Sequence, residues 1–205
     1  ASEINPYAAL AARAKCEAAQ VSPAQLSRSI SDFRRFMEEK NGPLAAPPPH
    51  FRSRIPFFGE HANAQVLRAL RFIQLLEAGP VRDLFTLALG AVMVSVSNYS
   101  YEPSLCSRPA AGKPLQDNAP VLETIIAKLL TMKTDIEWAR EHIRPLSRAP
   151  SGRVISESFL HATRHLAPGS IDLVVTSPPY LNNYHYVRNT RPQLFWLGFV
   201  RNPAE

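Results

Sequence analysis

The groups best placed to do chemistry lie together at Thr176-Ser177-Pro178-Pro179-Tyr180. Neither proline has a backbone N–H, and each restricts the residue before it to extended conformations, so the stretch reads as rigid and extended. That leaves the carbonyls of Ser177 and Pro178, and the Ser177 hydroxyl, to accept hydrogen bonds from a ligand. Tyr180 adds a ring face. Acceptors beside a π surface suit a planar ring that carries an amino group. A rigid turn with a packed tyrosine is the plain alternative for Pro-Pro-Tyr. The run that follows, Leu181-Asn182-Asn183-Tyr184-His185-Tyr186, is unusual packing material.

Two stretches must position these groups. Residues 171–176, Ile-Asp-Leu-Val-Val-Thr, read as an apolar strand of the parallel kind that is covered on both faces. Arg153-Val154-Ile155-Ser156 reads as a shorter strand, Phe159 to His165 as a short helix, and Pro168-Gly169 as a turn. Strand, helix and strand joined by short turns make an α/β unit, whose ligands bind at the carboxyl ends of strands. The start of the chain matches this. Glu3 precedes Asn5-Pro6 and a run of good helix formers from Tyr7, as at a strand-to-helix turn with Asn5 as cap.

Between these flanks the pattern is helical. Apolar residues at helical spacing predict helices over 21–40, 62–76, 81–96 and 120–144. Residues 97–118 read as a loop rich in Ser, Asn and Pro. Asn41-Gly42-Pro43 with Pro47-Pro48-Pro49, and residues 145–152, read as linkers.

The net charge of +6 and pI near 9.6 suit a polyanionic partner, although cations spread over a whole chain need form no patch. Cys16 and Cys106 lie 90 residues apart and outside any Cys/His cluster, which points to neither a metal site nor a disulfide framework. Cys16 reads as a small buried residue. The longest apolar run, Leu84 to Val96, is short of the ~20 residues that span a bilayer and reads as a buried helix. No signal segment is visible, so cytoplasmic residence is expected.

Residues Ile171 to Tyr180 resemble motif IV of the amino-methylating, S-adenosylmethionine-dependent DNA methyltransferases, including those of restriction–modification systems. The continuation to Leu194-Phe195-Trp196-Leu197-Gly198 resembles bacterial members. Ser before Pro-Pro-Tyr is commonest among cytosine-N4 enzymes, and adenine-N6 enzymes also carry it. The resemblance implies methyl transfer from S-adenosylmethionine to the exocyclic amino group of a cytosine or adenine flipped out of duplex DNA. Ser177, Pro178, Pro179 and Tyr180 would form the catalytic loop, with Thr176 on its cofactor side.

Residues 2–6, Ser-Glu-Ile-Asn-Pro, are similar to motif II, where an acidic residue binds the cofactor's ribose hydroxyls. This implies cofactor-binding roles for Glu3 and the adjacent Asn5. Residues 153–158 resemble motif III, with Glu157 where the family usually has Asp for the adenine amino group. A solvated Glu3 and helix capping by Ser156 or Ser158 are the structural alternatives. Tyr184, with Arg52, Arg54, Arg108 and Lys113 of the helical part, would contact DNA.

The resemblance divides the chain into residues 1–20 and 151–205, the two parts of a partial Rossmann-like α/β methyltransferase sheet, and a mainly helical insert over 21–150. One departure is large. The Gly-rich loop of motif I, which precedes motif II in this family, is absent, and the 8 glycines offer no substitute. The chain therefore reads as a piece of a larger enzyme. An RNA base-amino methyltransferase, which more often carries Asn before Pro-Pro-Tyr, is one alternative. A catalytically incomplete DNA-binding fragment or subunit is another. No membrane partner is implied, and the oligomeric state is left open.

Overall fold

In a computed structural model, the structure describes residues 1–39, 42–142, 152–177, 186–202 and 204. It is α/β but mostly helical, with one small two-stranded sheet among the described residues. Helix α1 (Pro6–Glu17) starts where Asn5 and Pro6 predict. The Asn5 Oδ1 accepts from the N–H groups of Tyr7 at 3.0 Å and Ala8 at 3.3 Å, and Pro6 takes the first turn, where its missing N–H is harmless.

Helix α2 (Pro23–Glu38) buries Leu26, Ile30, Phe33 and Met37, a stripe at steps of three and four. Helix α3 (Glu60–Leu75) buries Val66, Leu70 and Ile73, and α4 (Pro80–Val92) buries Leu84, Phe85, Ala88 and Leu89. Helix α5 (Val121–His142) closes the bundle with Ile125, Ile126, Leu129 and Ile136. Helix α4 packs against α1, α3 and α5, while α2 packs on α3 and α5. The centre is aromatic: the Phe85 ring lies 5.5 Å from both Phe33 and Phe72. Helices α1 and α4 approach closely at Gly90, where a Cβ would sit 2.5 Å from the Tyr7 ring.

The stretch read as a loop over 97–118 contains a hairpin. Strand β1 (Tyr99–Tyr101) pairs antiparallel with β2 (Leu105–Ser107), with Ser100 opposite Cys106. Three-residue strands are too short to show a period of two, so the turn-forming residues dominate the sequence signal.

The ends of the chain meet. Ser2 and Ile155 form a parallel bridge, with the Glu3 N–H donating to the Ile155 carbonyl at 3.0 Å and the Ile155 N–H to that of Ala1 at 2.8 Å. The strand expected over 171–176 is a correction. Its residues belong to no strand, and Leu173 and Val175 are 78% and 88% exposed rather than buried. A parallel strand that is apolar on both faces needs a partner at its edges and cover above and below, and no described residue supplies these.

Cys16 is also corrected: it is exposed, off the α1 face that buries Ala9, Leu10 and Ala14. Among the described residues no helix is long and apolar enough to cross a membrane. Nor does any group of three or more His, Cys, Asp and Glu among them suit a metal ion.

Candidate active site

Ser177 is described and exposed, as is Thr176. Pro178, Pro179, Tyr180 and Tyr184 lie outside the described residues. The next described element after Ser177 is helix α6 (Tyr186–Trp196).

Three other parts of the chain hold that helix. The Asn5 amide donates to Thr190 Oγ1 at 2.9 Å, tying α6 to the N-terminal turn. Asn189 takes both strands of the hairpin at its turn end: its carbonyl accepts from the Tyr101 hydroxyl, and its Oδ1 from the Leu105 N–H, each at 2.9 Å. Arg191 donates to the Arg52 carbonyl at 3.1 Å and lies over the rings of Phe51 and Phe195. Behind these, Gln193 donates to the Gly90 carbonyl of α4 at 3.2 Å, and Leu194, Phe195 and Trp196 are buried. The helix therefore sits where the N-terminal turn, the hairpin and the aromatic segment meet.

The bridge between residues 2 and 155 sets Glu3 and Glu157 just past paired positions of adjacent parallel segments. Their carboxylates differ in availability. Glu3 is half-buried, and its Oε1 accepts from the Asn5 N–H at 2.7 Å, while its second oxygen has no hydrogen-bond partner among the described residues. Glu157 is engaged by its own short 3₁₀ helix, Phe159–Arg164. His161 and Arg164 each approach Oε1 at 2.9 Å, and His165 bonds Oε2. Ser158 caps that helix through Leu160 N–H at 3.3 Å, the capping role read as the alternative in the sequence. The Asn5 side chain is committed at both ends, to the start of α1 and to Thr190. Tyr7, packed beneath Gly90, is pushed up to about 12 by burial, with Tyr101 adding to the shift, so it stays protonated at neutral pH and is no general base.

The His165 hydrogen bond, followed by those of His161 and Arg164, holds Glu157 below the usual carboxylate range. A lowered native pKa contributes stability that is present above the unfolded carboxylate's range and lost as pH falls through the lowered value. Glu157→Gln is therefore expected to lower the protection of amides 157–165 at pH 7. That difference from the parent should vanish in acid, as read by hydrogen exchange across a pH series.

The cations expected to touch DNA separate into two sets. Arg108 donates to the Pro114 carbonyl at 2.8 Å, and Lys113 pairs with Glu102, so both fasten their own loop. Arg52 and Arg54 instead line a cleft of about 480 Å³ with Arg188 and Arg191 of α6. The latter pair was missed in the sequence, though their i, i+3 spacing just past the Tyr-rich run puts them on one helical face.

No family model and no solved structure matches the chain. It is similar to the Type II methyltransferase M.BsoBI of Geobacillus stearothermophilus, with 35% identity over 78 residues. The matched stretch is 38% of this chain and only 15% of the Geobacillus protein.

Proposed function

We propose that this chain supplies the base-binding part of an S-adenosylmethionine-dependent methyltransferase that modifies the exocyclic amino group of cytosine or adenine in DNA. The observation that carries this reading is Ser177-Pro178-Pro179-Tyr180, in a chain similar over 78 residues to a Type II methyltransferase. The parallel pairing of residues 2 and 155 supports it, because it brings the two acidic candidates to one end of adjacent segments. Residues 1–20 and 151–205 are then parts of the catalytic core, and 21–150 the insert that buttresses α6.

The residues present fit the cofactor unequally. The second oxygen of Glu3, unpartnered among the described residues, suits a ribose hydroxyl, while Glu157 is engaged by the side chains of His161, Arg164 and His165 and Asn5 by the start of α1 and Thr190. When bound, S-adenosylmethionine supplies an electrophilic methyl group. The chain's own residues hold and orient the base. The Ser177 hydroxyl and Pro178 carbonyl accept the amino hydrogens, which aims the nitrogen lone pair, while Tyr180 stacks on the ring. Holding the reactants in line provides most of the acceleration. Transfer needs no prior deprotonation by a shifted base, since the proton can leave afterwards.

The exposed Leu173 and Val175 favour a companion reading, in which the core is completed by a further segment that bears the Gly-rich loop. Tritiated S-adenosylmethionine tests both. Label is expected in duplex DNA when the chain is combined with such a segment, and little when the chain acts alone. Label in RNA but not DNA would change the substrate. No label in either polymer with the complete enzyme would sink the proposal.

A further inference from the structure

The cleft between the insert and α6 has a composition that the catalytic loop does not explain. Four arginines line it, and no Asp or Glu is among its lining residues. Two of the four are occupied. Arg52 donates to the carbonyls of Pro49 and Phe51, and Arg191 staples α6 to the aromatic wall. The other two are exposed, and their guanidinium groups have no partner among the described residues: Arg54, which bonds Tyr99 only through its backbone N–H, and Arg188. Arg188 stands in the first turn of α6, where the positive end of the helix dipole adds to its charge.

The floor is a poor seat for a base. Tyr99 is 9% exposed and stacked on Phe57 at 5.0 Å, and Phe51 meets Phe57 edge-on at 5.3 Å with the Arg191 guanidinium over its ring, so the rings there are already engaged by protein groups. A cationic cleft whose rings are already engaged suits phosphodiesters rather than bases.

We propose that Arg54 and Arg188 form a phosphate clamp that grips the DNA backbone in this cleft. The inference rests on the methyltransferase reading for its choice of polyanion. Arg188 belongs to α6 and Arg54 to the insert, so the clamp takes one cation from each side of the cleft.

The test is binding of the 205-residue chain to a fluorescein-labelled DNA duplex, followed by anisotropy across a KCl series. Removing two phosphate contacts should flatten the slope of log affinity against log salt by about 1.8. Between 50 and 200 mM salt the parent should then lose roughly 12-fold more affinity than Arg54→Gln/Arg188→Gln. Arg34→Gln, an exposed cation on α2, should leave the slope unchanged, and circular dichroism checks that each variant is folded. A double variant with the parental slope, a slope lowered equally by Arg34→Gln, or a parent chain that does not bind duplex DNA would each overturn the clamp. Methyl transfer by the completed enzyme is measured separately, so the clamp can fail while the methyltransferase reading stands.

Discussion

Phe85→Ala is expected to cost about 3–5 kcal/mol of stability, the usual range for emptying a buried phenylalanine site. Phe85 is 1% exposed, and its ring meets Phe33 edge-on and Phe72 at a tilt, so truncation removes two aromatic contacts and leaves a cavity. Helix α4 cannot shift to fill it without disturbing α1, α3 and α5 at once. The matching fall in melting temperature is roughly 6–20 °C for a chain of this size. Chemical denaturation checks the value, and Phe85→Leu, which keeps most of the volume, should lose less. A loss below about 1 kcal/mol for the alanine variant would mean that the aromatic centre is not packed as described. The effect should reach the site, because the Gly90 carbonyl of α4 holds Gln193 of α6.

Tyr180→Ala is expected to lower kcat/KM for DNA methylation by roughly 5- to 160-fold, the equivalent of 1–3 kcal/mol of lost base stacking. Tyr180→Phe keeps the ring and should retain most of the rate. Cofactor affinity should be unchanged, since the ring acts on the base. Methylation assays with 2-aminopurine at the target position would report the flipped base by fluorescence, and the alanine variant should weaken that signal. Undiminished kcat/KM for the alanine variant would remove Tyr180 from the mechanism.

The helices were the most legible part of the chain, for a physical reason. Leu26, Ile30, Phe33 and Met37 repeat at steps that only a helix brings to one face, and each is buried. Asn5-Pro6 announced the start of α1 in the same way, through a cap whose hydrogen bonds reach only two and three residues ahead. The hairpin at 99–107 was not legible, because strands of three residues carry no period and the residue that fastens them, Asn189, lies more than 80 residues away. The apolar run over 171–176 shows the opposite failure. Its composition is that of a buried strand, yet burial depends on neighbours, and here Val175 is exposed.

The site divides along the same line. The sequence by itself determined the chemistry that Ser177-Pro178-Pro179-Tyr180 can offer, since acceptor count, missing N–H groups and a ring face belong to residue types. It also determined the helical nature of the insert, because helix periodicity and capping are local. Only the tertiary structure decided which charges are free. It tied Lys113 to Glu102, closed Glu157 onto His161, Arg164 and His165, and left the Arg54 and Arg188 guanidinium groups in one cleft without a partner among the described residues. The pairs that do form lie 4 to 11 residues apart, across the hairpin loop and the short 3₁₀ helix, and hydrophobic periodicity says nothing of how such segments fold back on themselves.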